Sequence, residues 1–202
     1  MKTIYIVRHG ESEGNIGNVR QSPESNLTQV GIEQSKNIAR FFDNIKIDHF
    51  ISSPFNRAKQ TADIIKDFIK VDYIEKDFLR ERRRPSEQIG KIKKSPESLE
   101  SVRMYQEAFV RGEKYKDGED FNELMGRVKE SFDYLDRLDT ENILVVTHGT
   151  FLRAFLSFIV LGGLVTPNSC FSFIKNIKVM NGTVSVFVVK DASWKVTSLC
   201  LK

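Results

Sequence analysis

Two short apolar runs, Ile4-Tyr5-Ile6-Val7 and Ile143-Leu144-Val145-Val146, stand far apart in the chain and end alike, in a polar residue, a histidine and a glycine. Unbroken runs rich in β-branched residues and closed by glycine read as buried strands ending in turns. The first strand spans Lys2 to Val7. Thr28 then caps a helix whose apolar positions Val30, Ile38, Phe41 and Phe42 fall on one face. A second strand follows over Asp48 to Ser52. Pro54 opens a helix at its first turn, which carries Ala58, Ala62, Ile65 and Phe68. Val71 to Ile74 reads as a third strand. Phe121 to about Leu138 has the spacing of an amphipathic helix, Asn142 to Val146 of a strand, and Ala154 to Leu161 of a buried helix. Ser172 to Met180 and Thr183 to Val189 read as two tail strands, joined by the hairpin-type turn Asn181-Gly182. The predicted architecture is an α/β fold: a mixed, mostly parallel sheet with helices on both faces and a C-terminal hairpin.

Between Leu79 and about Lys116 the periodicity fades. Arg80-Glu81-Arg82-Arg83-Arg84-Pro85 is a charge run, and a polar, lysine-rich stretch follows it. Residues from about 80 to 120 are therefore expected to form an inserted excursion. It is either a cap over a site or a solvated surface insertion. At 202 residues the chain is read as one domain, 1–202, with a sizeable core. A formal net charge of +4 is too diffuse to suggest a nucleic-acid partner, but it suits an anionic ligand. The apolar stretch at 154–161 falls short of the ~20 residues that cross a bilayer, so no membrane partner is expected. Arg8 interrupts the N-terminal run before it could act as a signal segment. Cys170 and Cys200 show neither disulfide nor metal-ligand spacing and are read as buried or incidental thiols in a cytoplasmic protein.

The candidate chemistry lies at the two strand ends. Carboxyl ends of strands in α/β sheets bind ligands, and imidazole suits nucleophilic and proton-transfer work near neutral pH. His9 and His148 are thus expected to share one site. The residues around them widen the reading. Arg8-His9-Gly10-Glu11-Ser12 is followed by Asn15, then by Leu27-Thr28-Gln29-Val30-Gly31 with Gln34. Ser52-Ser53-Pro54-Phe55-Asn56-Arg57-Ala58, Leu79-Arg80-Glu81 and Thr147-His148-Gly149 come after, in that order. This ordered set resembles the histidine phosphatase superfamily, which includes phosphoglycerate mutases and many small-molecule phosphatases.

The resemblance implies that His9 attacks phosphorus and becomes a phosphohistidine. That agrees with the nucleophilicity of neutral imidazole and with the gain from splitting one hard displacement into two steps. Arg8 and Arg57 are the candidates for the phosphoryl clamp, because forked guanidinium donors match phosphate geometry. His148 is implied to donate to the phosphoryl oxygens, and Asn15 matches a family position that contacts them. Ser12 has weaker support in that role, and Glu11 is read as a rim acid. Gly10 is expected to let the backbone approach a phosphoryl oxygen. The N–H groups of Gly149 and Thr150 are expected to add to the anion site. Glu81 matches the family's acid position, with Glu87 as a rival. The chain departs from the family pattern directly after Glu81, where Arg82, Arg83 and Arg84 stand. That run either selects substrates with a second anionic group or is a solvated patch.

The functional expectation is a phosphomonoester hydrolase acting on a small phosphorylated substrate without metal or cofactor. Mutase-type phosphoryl transfer is the alternative, and a non-catalytic phospho-ligand binding module is a third reading. His49 is assigned no role beyond a strand-edge or surface position, and the sequence leaves the oligomeric state open.

Overall fold

The computed structural model describes residues 1–20, 22–191 and 193–201. The N-terminal apolar run forms strand β1 (Lys2–Arg8), followed by the single-turn helix α1 (Glu13–Ile16) and by α2 (Gln29–Phe41). Then come β2 (His49–Ser52), α3 (Asn56–Ile69) and the two-residue β3 (Ile74–Glu75). Helices α4 (Pro96–Arg111) and α5 (Phe121–Arg137) precede β4 (Asn142–Thr147), α6 (Gly149–Leu161) and α7 (Pro167–Asn176). Strands β5 (Thr183–Lys190) and β6 (Ser193–Leu201) close the described chain.

The six strands form one sheet in the order β3-β2-β4-β1-β5-β6. β1 to β4 run parallel, and β5 is antiparallel to both β1 and β6. The central strands are buried on both faces, which is why their sequences read as continuous apolar runs rather than alternating ones. Ile4, Ile6, Ile143 and Val145 pack with α5 and α6 on one face. Val7, Leu144 and Val146 pack with α2 and α3 on the other. Because β1 and β4 pair from Thr3–Asn142 through Arg8–Thr147, both strands end at the same level.

Several local expectations require correction. Residues 172–180 do not form a strand. Thr166 accepts a hydrogen bond from the Ser169 N–H, Pro167 sits in the first turn, and a helix follows with Cys170 buried. The C-terminal hairpin exists but is made by β5 and β6. Asn181-Gly182 instead meets the end of β1, where Gly182 N–H donates to the Arg8 and His9 carbonyls at 3.1 and 3.2 Å. The third strand is only Ile74–Glu75, and α3 begins at Asn56, two residues beyond Pro54. Val30 and Phe68 lie exposed, so the apolar faces of α2 and α3 are narrower than the pattern suggests. No helix among the described residues is long and apolar enough to cross a membrane.

Gly10 and Gly31 hold α2 against the loop after β1. A Cβ on Gly10 would lie 2.4 Å from the Gly31 carbonyl oxygen, and one on Gly31 would lie 2.0 Å from the Glu11 carbonyl oxygen. Both obstacles are backbone and cannot rotate away. Gly31→Ala should therefore cost about 2–3 kcal/mol or more in urea unfolding, as overpacking does. Gly126→Ala, on an exposed turn of α5 with no atom near the added carbon, should stabilise by about 0.5–1 kcal/mol. Equal effects of the two substitutions would show that the glycine contact does not constrain α2.

Candidate active site

His9 is the first residue beyond β1, and its N–H donates to the Thr147 carbonyl at 3.0 Å, which extends the ladder with β4 by one bond. Its ring lies 2.6 Å from the Gly10 carbonyl through Nδ1, and a carbonyl can only accept, so Nδ1 carries the proton. Arg57 Nε donates to His9 Nε2 at 3.2 Å, and this assigns the bare lone pair to Nε2. The fold thus selects the neutral tautomer whose nucleophilic nitrogen faces the guanidinium. His148 caps α6, with its ring centroid 5.0 Å from that of His9. Its Nε2 lies 2.8 Å from Ser53 Oγ, while its Nδ1 is buried without a protein partner. Both rings are pushed well below the usual imidazole range, first by burial and then by neighbouring charge: at His9 by His148 ahead of Arg57 and Arg8, and at His148 by Arg57 and Arg8.

Two guanidinium groups flank the rings. Arg8 ends β1, donates through Nη1 to the Val179 carbonyl, and holds its Nε buried with no acceptor. It passes so close to α6 that a Cβ on Gly149 would lie 3.0 Å from Arg8 Nε. Gly149 therefore makes room for the arginine. Arg57, 2% exposed, stands in the first turn of α3, donates through Nη1 to the Ser22 carbonyl at 3.1 Å, and lies 5.3 Å from the Phe55 ring centre. Burial lowers its pKa to about 10, partly opposed by Glu81 and aided by Arg8, so it stays charged at neutral pH.

Glu81 occupies the N-terminus of α6. Its Oε2 accepts from Thr150 N–H at 3.0 Å, and its Oε1 from Phe151 N–H at 3.0 Å and Arg82 N–H at 2.9 Å. Burial pushes this carboxyl up, but the backbone donors and the charges of Arg57 and Arg153 outweigh it and hold it below the usual range. The expectation that Thr150 N–H serves a phosphoryl group therefore changes, because the helix terminus already holds the Glu81 carboxylate. Gly10 changes likewise. Its N–H donates to Thr61 Oγ1 at 3.1 Å, and its bare α-carbon faces Gly31.

The remaining predicted residues divide by position. Asn15 Oδ1 accepts from Ser12 N–H, Ser12 Oγ and Asn181 Nδ2, at 3.0, 2.9 and 3.1 Å. Asn181 also donates to the carbonyls of His9 and Gly10, at 3.1 and 3.2 Å, so it holds the backbone that orients His9. Sequence reasoning missed Asn181, together with Ser53, Thr61 and Arg153. Glu11 accepts from Thr28 Oγ1 at 2.8 Å and steadies the cap of α2. Glu87 is held by Lys116, by Ser101 Oγ at 2.6 Å and by Tyr115 at 3.0 Å, and it lines no cavity shared with Glu81. His49 is half-buried, with Nε2 2.9 Å from the Tyr134 hydroxyl. Cys170 is buried, Cys200 half-buried, and both are free thiols.

The arginine run is not one solvated patch. Arg82 is buried between the rings of Tyr105 and Phe109, 3.9 and 3.8 Å from their centres, and donates to the Glu119 carbonyl at 3.2 Å. Arg83 donates to the Asp117 carbonyl at 2.9 Å, and Arg84 is exposed. A cavity of about 330 Å³ opens over Arg57 and Glu81, with Phe55, Ser22 and Arg80–Arg84 among its walls. Among the described residues, no cluster of His, Cys, Asp or Glu is arranged to hold a metal ion.

The sequence profile of the histidine phosphatase superfamily (branch 1) matches residues 4–202. The chain belongs to that superfamily. A probable phosphoglycerate mutase GpmB of Yersinia pestis (strain Pestoides F) is 31% identical over 166 residues, which is 78% of this chain and 74% of that protein. Among solved structures, a putative alpha-ribazole-5'-P phosphatase from Escherichia coli superposes with TM-score 0.82 at 20% identity, over 99% of this chain and 97% of that one. The phosphoserine phosphatase of Entamoeba histolytica, as its H9A mutant bound to phosphoserine, gives 0.76 at 21%, over the same shares of the two chains. These superpositions place the histidine phosphatase fold on this chain. The reaction is a separate question, because such neighbours include phosphatases and the sequence relative carries a mutase name.

The two depressed imidazoles make stability depend on pH. Between the folded pKa values and the unfolded value of about 6.5, the unfolded chain binds more protons, so stability falls as pH drops below about 6.5. Each histidine can contribute up to about 1.4 kcal/mol per pH unit to that slope. Urea unfolding at pH 7.5, 6.0 and 5.0 should show the loss, and His148→Gln should flatten it. An unchanged slope in that variant would refute the assignment.

Proposed function

We propose that the chain is a phosphomonoester hydrolase that works through a phosphohistidine on His9. The observation that carries this reading is the orientation of His9. Its Nδ1–H is spent on the Gly10 carbonyl, and its unprotonated Nε2 faces Arg57. Beside it stand two buried polar atoms without protein partners, Arg8 Nε and His148 Nδ1. A buried donor without an acceptor costs free energy, and a phosphoryl oxygen supplies one.

In the first step Nε2 forms a bond to phosphorus as the ester P–O bond breaks. Arg57 exchanges its hydrogen bond to Nε2 for one to a phosphoryl oxygen, which frees the lone pair. Arg8, Arg57 and His148 stabilise the charge spread over the equatorial oxygens. The leaving alkoxide takes a proton from Glu81. In the second step water attacks the phosphohistidine and gives its proton back to the Glu81 carboxylate. Glu81 is held ionised by backbone N–H groups and by the charges of Arg57 and Arg153. Arg57 also binds the phosphoryl group, so a bound dianion offsets part of that field and raises the carboxyl's pKa toward the acid role. Asn15 adds its amide donor to the phosphoryl group, and the 80–120 segment forms the outer wall of the pocket.

Hydrolysis is favoured over mutase-type transfer because Arg83, Arg84 and Ser86 on the cavity wall are solvent-exposed, which admits the attacking water. The mutase reading keeps its place through the name of the Yersinia relative. Substrates are small phosphorylated molecules, in keeping with the names of the two phosphatase neighbours. A reducing compartment such as the cytoplasm suits the two free thiols.

His9→Ala should lose turnover by more than about a thousandfold while its urea midpoint stays near that of wild type. Acid-labile, base-stable label from a ³²P-phosphomonoester should appear on wild type and not on the variant. A variant retaining several per cent of activity would sink the mechanism. Glu81→Gln should slow an alkyl phosphate by about 10²–10⁴-fold. With p-nitrophenyl phosphate it should still release one equivalent of nitrophenol in a burst, because that leaving group needs no proton. A uniform loss on both substrates, without a burst, would remove Glu81 from the acid role.

A further inference from the structure

A second, smaller cavity of about 160 Å³ adjoins the first, and Glu81, Arg82 and Arg84 line both. Its remaining walls include Arg153, Gln106 and Thr150, with Phe171 and Ile174 closing the apolar side. Its charge is lopsided. Arg82, Arg84 and Arg153 face a single carboxylate, Glu81, whose oxygens are already occupied by three backbone N–H groups. The larger cavity differs, because Asp117 and Glu119 also stand in its wall.

Two of these guanidinium groups have donors to spare. Arg82 is 8% exposed, and its Nη2 is buried without a hydrogen-bond partner. The Tyr105 and Phe109 rings on either side of it present their π faces, and the Tyr105 hydroxyl is turned to the Arg83 and Glu119 carbonyls. Arg84 is exposed and takes part in none of the ion pairs among the described residues. No acid offsets it, and its charge bears on Arg20 and Lys93 as well as on Arg82. Exposed arginines usually find a carboxylate or point into solvent. This one lines two cavities at the seam between them.

We propose that the small cavity is a subsite for a second anionic group of the substrate, a carboxylate or a second phosphate, bound by Arg84 and by the free Nη2 of Arg82. The proposal rests on the phosphohistidine reading for the position of the scissile phosphate, over Arg57 and His9. The substrate then carries two anionic groups on a short linker, one on each side of Glu81. The oxygen that leaves phosphorus lies between them, beside the carboxyl that protonates it. Neutral sugar monophosphates and aryl phosphates would fill only the first cavity.

Non-hydrolysable phosphonates test this on the intact protein by calorimetry. Methylphosphonate carries one anionic group, 3-phosphonopropionate adds a carboxylate, and propane-1,3-bisphosphonate adds a second phosphonate. Wild type should bind at least one of the two difunctional ligands about five- to tenfold tighter than methylphosphonate, the gain expected of a charge-assisted contact in a partly sheltered site. The stronger of the two identifies the second group. In Arg84→Ala the ratio between difunctional and monofunctional affinity should fall to about one, and in Arg84→Lys it should recover in part. Equal affinities for all three ligands in wild type, or a preference that survives Arg84→Ala, would overturn the subsite. Methylphosphonate reports on the first cavity alone, so its failure to bind wild type would instead count against the phosphohistidine site.

Discussion

The in-register parallel pairing of β1 with β4 is the constraint on which the site depends. Arg8 faces Thr147 across the ladder, so His9 and His148, 139 positions apart in the chain by their residue numbers, leave the sheet side by side. A slip of one residue would turn Ile4 and Ile6 to the face that holds α2 and α3 and exchange the two cores. The apolar packing that stabilises the sheet therefore also fixes the distance between the two imidazoles. No catalytic loop needs to search for that geometry.

Charge is handled differently from shape. Arg8, Arg57 and Arg153 converge around one carboxylate, Glu81, which also satisfies the first N–H groups of α6. Positive charge exceeds negative, which suits an anion. The excess is carried by buried guanidinium groups, which keep their protons where a lysine would release its own. The imidazoles stay neutral in this field, and a neutral imidazole is the nucleophilic one.

Much of this was legible in the sequence, because the informative signals were local. Apolar runs closed by His-Gly marked the strand ends, Thr28 marked the start of α2, and the order of the motifs carried the family. The failures arose where long-range partners decide. Asn181-Gly182 has the composition of a hairpin turn, yet its partners are His9 and Gly10, about 170 positions away. Arg82 reads as part of a charged surface because nothing in its own segment announces the Tyr105 and Phe109 rings that enclose it. In one dimension Glu81 stood ahead of Glu87 only through the Leu79-Arg80-Glu81 motif. In three, one faces α6 and the other is tied to Lys116, Ser101 and Tyr115. Ser172 to Met180 is rich in strand-favouring residues, and the helix it joins is set by a start signal at Thr166-Pro167, upstream of that stretch.

The back-to-back contact of Gly10 with Gly31, beside the nucleophile, and the Arg80–Ile89 wall of the cavity differ in their tolerance of change. On the His9 side backbone meets backbone, so no side chain can be exchanged there to retune the surface. On the Arg80–Ile89 side Arg83, Arg84 and Ser86 face solvent and can be replaced without moving the nucleophile, whereas Glu81 and the buried Arg82 are fixed by their partners. The same framework can therefore keep its chemistry constant while being re-addressed to new substrates from one side only. A designer seeking altered selectivity has a short segment to work on, and good reason to leave the rest untouched.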